Sequence, residues 1–127
     1  MVYGKTPLTY GFSDEQWHAA KSEIRKKMIA VAQLETTITY GDLAAQLTSV
    51  VFHPGAYAFH ALLREICYEE DDAGRGMLCA VVVSKAHGIP GQGFFKAIAK
   101  RGRDCSDPLQ CWQVECKFLY EVWGNTD

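Results

Sequence analysis

Two stretches of the chain carry the same signal for starting a helix, and together they restrict the fold to one assembled from short, individually capped helices. In the first, Ser13 is followed three residues later by Gln16, with Phe12 and Trp17 on either side. A hydroxyl at the N-cap, an amide at the third helical position and apolar residues flanking the pair make a capping box with a hydrophobic staple. In the second, Thr39 and Asp42 repeat that spacing between Ile38 and Leu43, which puts Tyr40 at the first helical position. Trp17, Ala20, Ile24, Met28 and Val31 recur at intervals of three and four, while Lys21, Arg25, Lys26 and Lys27 fall outside that stripe. The first helix therefore runs from Ser13 to near Gln33 with one buried face. The second runs only to about Leu47, because TSVVFHPG follows with β-branched residues and a proline. Pro54 favours the start of a third helix over AYAFHALLREICYEE, with Tyr57, Ala61 and Arg64 on one face and Ala58, Leu62 and Ile66 on its neighbour. Two short helices joined by a tight segment form a helix-turn-helix pattern.

Further along, MLCAVVVS reads as a strand, KAHG as a turn, and Ile89 with Pro90 as the start of a return strand at a sheet edge. GQGFFKAIAKRG is a short helix closed by Gly102, with Lys96, Lys100, Arg101 and nearby Arg103 exposed. Ser106 caps a last helix whose buried stripe is Leu109, Trp112, Cys116, Leu119 and Trp123. EEDDAGRG places four carboxylates at a helix C-terminus, where the macrodipole disfavours them, and reads as a solvated loop. It lacks the spaced oxygen ligands and turn glycine of a calcium loop. The fold class is α+β and mainly helical: a winged-helix-like helix-turn-helix with a small β-hairpin wing over residues 81–90 and extra C-terminal helices. The 127 residues suit a single domain of this kind, 1–127, with one core.

Composition narrows the function. With 48% hydrophobic and 22% charged residues the chain is globular rather than disordered. A net charge of −2 argues against coating nucleic acid or anionic membrane by bulk electrostatics, so any such partner needs a local basic face. The N-terminal stretch has no apolar run of signal-peptide length and no segment approaches 18 apolar residues, which reads as a cytoplasmic protein without membrane contact. Cys67, Cys79, Cys105, Cys111 and Cys116 form an odd set with no Cys-x-x-Cys pair, and His18, His53, His60 and His87 are scattered. That pattern fits neither a disulfide framework nor a metal site. The cysteines read as reduced thiols in the core, and no cofactor is expected.

The order of elements is that of a winged helix, in which the second short helix enters a DNA groove. Tyr57, His60 and Arg64 share one face of that helix, suited to base edges or phosphates, and His53 and Lys85 add phosphate contacts. Tyr40, His87, Lys96, Lys100 and Arg101 complete the candidate nucleic-acid-binding set. HGIPGQGFF follows a strand and opens a helix as phosphate loops do, but it has no Gly-Lys-Ser/Thr ending and no Gly-x-Gly-x-x-Gly spacing, so its glycines read as turn and packing residues.

These residues carry a family resemblance over roughly residues 13–102. ITYGDLAAQL resembles the Tyr-containing start of the helix-turn-helix in O6-alkylguanine-DNA alkyltransferases and the alkyltransferase-like proteins. ALLREI lies where that family has an Ala-x-Arg helix end, and LCAVVVSKAHGIPGQGF resembles its Pro-Cys-His-Arg strand and following Gly-rich turn. The resemblance implies Tyr40 beside a target-nucleotide phosphate and Cys79 at the alkyl-acceptor position. Cys79, however, is preceded by Leu78 and followed by Ala80 and Val81, so the base that would activate its thiol is missing. The family's intercalating arginine has no match near Pro54 or Tyr57, and the interval from Tyr40 to Cys79 is several residues longer. The expectation is a buried, unreactive Cys79 and a non-catalytic winged-helix protein that binds DNA. The alternative is a protein-interaction or homodimerisation module on the same fold, motivated by the slightly acidic balance and fifteen aromatic residues.

Overall fold

In the computed structural model, which describes residues 10–124, the chain is mainly helical with one small sheet. The order is α1 (Asp14–Gln33), β1 (Ile38–Thr39), α2 (Tyr40–Ala45), α3 (Tyr57–Asp72), a 3-10 turn (Leu78–Val81), β2 (Val82–Val83), α4 (Gln92–Lys100) and α5 (Pro108–Trp123). No helix among the described residues is long and apolar enough to cross a membrane.

The helix starts follow their local chemistry. Ser13 Oγ accepts the Gln16 amide at 3.1 Å while the Gln16 side chain accepts the Ser13 amide at 2.9 Å, and the Phe12 and Trp17 rings lie 6.4 Å apart as the staple requires. Buried Trp17, Ala20, Ile24, Met28 and Ala32 form the inner face of α1. Its end is a Schellman motif, with Thr36 N–H on Val31 O and Glu35 N–H on Ala32 O. Glu35 takes the left-handed conformation (φ 54°) that glycine more often supplies. Thr39 caps α2 through the Asp42 amide at 3.1 Å. Asp107, rather than Ser106, caps α5 by accepting from Gln110 N–H at 3.2 Å, with Pro108 as the first helical residue. Leu109 consequently faces solvent, and the inner face of α5 is Cys111, Glu115, Cys116 and Leu119.

The β-hairpin wing is not formed. MLCAVVVS curls into the 3-10 turn over its first half and contributes only two strand residues, and these pair parallel with β1, Ile38 with Val82 and Thr39 with Val83. Residues 84–89 close on themselves through Ser84 N–H to Ile89 O at 2.8 Å, and the chain then meets Pro90, which has no N–H to continue a ladder. Periodicity misleads here because the run is buried on every side: Met77, Leu78, Ala80, Val81 and Val82 are all fully enclosed, packed among α1, α3 and α5. The helix-turn-helix is also looser than expected. Residues 46–56 separate α2 from α3, longer than a three- or four-residue turn. Pro54 sits in that segment rather than opening α3, because Ala56 N–H bonds to His53 O and Gly55 N–H to His53 Nδ1, turning the chain before Ala56 caps the helix.

EEDDAGRG is not a solvated loop. α3 continues through Asp72, Glu70 is only 3% exposed, and the carboxylates are matched by cations from other elements. Glu70 binds Arg75 at 2.8 Å, Asp71 binds Arg101 at 2.6 Å and Arg103 at 2.5 Å, and Asp72 pairs with Arg101. On the α1 side, Lys21 reaches Glu65 at 3.0 Å and Glu69 at 2.6 Å, and Arg25 pairs with Glu69. The Arg103 guanidinium holds the Asp71 carboxyl below the usual aspartate range against the opposing effect of partial burial.

Two carboxylates anchor backbone. Glu115, 4% exposed, accepts the Met77 amide at 2.8 Å and the Arg103 guanidinium at 3.1 Å. Replacing it with Ala leaves that amide and part of the guanidinium unpaired, and urea denaturation should show a loss of about 2–3 kcal/mol. Glu23 accepts the amides and hydroxyls of both Thr48 and Ser49, with the nearest contact 2.7 Å from Ser49 Oγ. Partial burial raises its pKa, but the Ser49 and Thr48 donors outweigh this and hold it at about 2. Because the folded value lies below the unfolded one, this contribution is fully present above pH ~4.5 and is lost as pH falls toward ~2. Glu23→Gln should cost about 1 kcal/mol at neutral pH and flatten the acid limb of the stability curve over that window.

Candidate functional site

Tyr40 shows what a tyrosine at the first turn of a six-residue helix does. Thr39 caps α2 while pairing with Val83, so the phenol leaves the end of the sheet toward the segment that follows β2. Its oxygen accepts the Gly91 amide at 3.0 Å, and its ring lies 5.1 Å from the His60 ring. Burial pushes the phenol pKa up despite the Gly91 amide, so it remains a neutral hydroxyl. Gly91 is the N-cap of α4. A single hydrogen bond therefore ties α2 to the start of α4 across 51 residues of sequence.

Between these elements lies a cavity of about 240 Å³. From α2 it takes Tyr40; from α3 His60, Leu63, Arg64 and Cys67, one stripe at intervals of three and four; from the 3-10 turn Cys79; and from the start of α4 Gly91, Gly93, Phe94 and Ala97 among others. The volume exceeds that of a cavity holding one benzene ring, roughly 150 Å³, and falls short of drug-sized pockets, roughly 300–1,000 Å³. It suits one flat ring system. His60 is fixed by its Nε2–H, which donates to Pro54 O at 2.8 Å because a carbonyl can only accept.

Of the ten residues singled out from sequence, the cavity brings together Tyr40, His60 and Arg64. Tyr57 is 63% exposed one turn before His60, its ring 5.3 Å from that of Tyr10. Lys96 and Lys100 are exposed on α4, each three residues after a cavity-lining residue, Gly93 and Ala97 respectively. Lys85 and His87 are exposed in the turn after β2, and His53 is exposed in the segment before α3. Arg101 is not a free surface cation, since Asp71 and Asp72 hold it and it stacks 4.9 Å over Tyr68; Arg103 is taken up by Asp71 and Glu115. Arg64, Lys85, Lys96 and Lys100 make no ion pair among the described residues.

No protein-family model, curated protein or solved structure matches this chain.

Four of the five cysteines depart from the expectation of reduced thiols. Cys67 and Cys79 are paired as a disulfide with Cα atoms 5.5 Å apart, and Cys105 and Cys111 as a second with Cα atoms 5.1 Å apart. Cys79 is thus neither in a strand nor a lone buried thiol; it lies half-buried on the 3-10 turn, opposite α3. Only Cys116 is a free buried cysteine, its thiol pushed up to about 11 mainly by burial, with Sγ 3.7 Å from Ala80 O. Spacing along the chain carried no signal for the pairing of Cys67 with Cys79, which depends on α3 packing against the turn. No group of three or more His, Cys, Asp or Glu side chains that could hold a metal occurs among the described residues.

Removing only the Tyr40 hydroxyl should separate the cavity's shape from its closure. Tyr40→Phe leaves the part-buried Gly91 amide without its acceptor, and we expect a loss of about 1 kcal/mol in denaturant titration, with faster amide exchange at Gly91 in NMR.

Proposed function

We propose that the chain is a non-catalytic nucleic-acid-binding protein that accepts one unpaired base into the cavity between α2, α3 and α4. The observation that carries this reading is the meeting of a ring-sized, largely apolar cavity with cations that make no ion pair among the described residues. Arg64 lines the wall, and Lys96 and Lys100 are exposed on α4, which helps form it. Aromatic groups suit a base inside: Tyr40, His60 and Phe94 line the cavity, and stacking on such rings contributes about 1–3 kcal/mol per base. Cations at the rim suit the phosphates on either side of an extruded nucleotide.

The net charge of −2 does not oppose this. Glu65, Glu69, Glu70, Asp71, Asp72 and Glu115 are each bonded to Lys21, Arg25, Arg75, Arg101 or Arg103. Among the described residues no carboxylate lines the cavity, whereas Arg64 does. A non-catalytic role fits the absence of any imidazole or guanidinium at the two positions after Cys79 and the commitment of its sulfur to Cys67.

The alternative, an interaction module or homodimer, rests on a different surface, where Tyr10, Val51 and Tyr57 are exposed close to the long connection before α3. Fluorescence anisotropy with two duplexes, one fully paired and one containing a single unpaired base, decides between the two readings. The base-binding reading expects tighter binding of the second duplex, with affinity falling steeply between low and physiological salt. Lys96→Ala with Lys100→Ala should reduce the salt slope by about 2 if each lysine holds one phosphate. Absence of binding at low salt, together with concentration-dependent dimerisation in light scattering, would instead establish the interaction reading.

A further inference from the structure

Both cysteines of one disulfide line the wall of the cavity just described. Cys67 comes from α3 and is fully buried, whereas Cys79, on the 3-10 turn, is only half-buried. A molecule entering the cavity therefore meets the Cys79 side of the bond first. We propose that Cys67–Cys79 is a reversible thiol–disulfide exchange site reached by low-molecular-weight thiols through this cavity, and that the thiolated form excludes a base.

The step balances without a cofactor. The thiolate of a small thiol attacks Cys79 Sγ, the Cys67–Cys79 bond breaks, and its electron pair leaves on Cys67 Sγ, which takes up a proton. The product is a mixed disulfide on Cys79 and a thiol on Cys67. The reverse step needs only the Cys67 thiolate to attack Cys79 Sγ and expel the small thiolate. A second small thiol attacking the adduct instead releases the symmetrical small disulfide and leaves Cys79 reduced. Arg64, on the same stripe of α3 as Cys67, supplies a positive charge on the wall that favours thiolates.

Opening the bond does not require unfolding. Ile66 beside Cys67, and Leu78 and Ala80 beside Cys79, are fully buried, so both ends stay held by packing when the covalent link is cut. Cys79 is the sulfur with room to move, and that room is the cavity. At about 240 Å³ the cavity does not hold an adduct and a base together. The other cysteines lack this arrangement. Cys116 is buried against Ala80 O and does not line the cavity, and Cys105–Cys111 spans only the start of α5. The exclusion of a base rests on the base-binding reading, whereas the exchange chemistry stands apart from it.

Tryptic mapping tests the chemistry directly, because cleavage after Arg64, Arg75 and Lys85 puts Cys67 in peptide 65–75 and Cys79 in peptide 76–85, with the other three cysteines together in 104–117. Protein purified without reductant should yield 65–75 linked to 76–85. A pulse of 2-mercaptoethanol on the folded protein should place the adduct on 76–85 and a free thiol on 65–75, and removing the thiol should restore the link. Cys67→Ala, or Cys67→Ser if the first variant loses its circular dichroism spectrum, leaves Cys79 as a free thiol; treated with 2-hydroxyethyl disulfide instead, it should exchange to a mixed disulfide on Cys79, release one 2-mercaptoethanol and keep the adduct, since no Cys67 remains to expel it. Free thiols at both positions in the unreduced protein, an adduct on Cys67, or reaction only in unfolding concentrations of urea would each overturn the proposal. In a separate arm, the stable adduct on the Cys67 variant should weaken binding of the unpaired-base duplex by about tenfold or more. Unchanged affinity would refute base exclusion, whereas failure of the unmodified protein to bind any duplex would refute the base-binding reading and leave the peptide map to decide the exchange site.

Discussion

Residues 77–83 run through the middle of this protein, buried at every position but Cys79, and the arrangement of the helices around them follows from the need to satisfy their polar groups. A buried amide without a partner costs about 1–3 kcal/mol, so each position must find an acceptor or a donor nearby. Glu115 accepts from Met77 N–H, Ala80 N–H turns back to Met77 O, and the Trp112 indole donates to Ala80 O at 2.7 Å. β1 pairs with Val82 and Val83, and Ile89 O closes the segment at Ser84. α5 is thereby held in register against the 3-10 turn by polar contacts as well as by Cys111, Cys116 and Leu119.

That requirement also distributes charge. Glu115 draws in Arg103, Arg103 draws in Asp71, and Asp71 shares Arg101 with Asp72, so one buried carboxylate is the inner end of a chain of ion pairs that reaches the surface. A single removal inside such a network leaves a neighbour uncompensated, which makes the inner pair more consequential than the outer ones. The same network absorbs two of the arginines near the end of α4, whereas the exposed Lys96 and Lys100 make no ion pair among the described residues.

The cavity is a second consequence of the parallel pair. Because β1 lies beside β2, the helix that follows β1 starts next to the chain that follows β2, and Tyr40 meets Gly91. The wall opposite is set by α3, whose stripe from His60 to Cys67 faces inward. The disulfide to Cys79 lies where that stripe crosses the 3-10 turn. The proposed base binding and the proposed thiol exchange therefore share one space, separated by which atom of its wall is engaged.

Sequence alone determined the starts of α1 and α2 and the inner face of α1, because capping and apolar periodicity act within a few residues: Ser13 with Gln16, Thr39 with Asp42, and the stripe Trp17, Ala20, Ile24 and Met28 all stand where local rules put them. It also marked Tyr40, His60 and Arg64, although not that they would meet. Tertiary structure decided everything that depends on a partner far along the chain. A fully buried apolar run looks the same whether it extends or curls, so only its surroundings made Leu78–Val81 a 3-10 turn and gave β2 a parallel rather than a hairpin neighbour. The acidic run from Glu69 to Asp72 looked solvated until arginines 101 and 103 closed on it. Whether a cysteine is a thiol or half of a disulfide is likewise a matter of which second cysteine the packing brings within bonding reach, and no spacing along the chain encodes that distance.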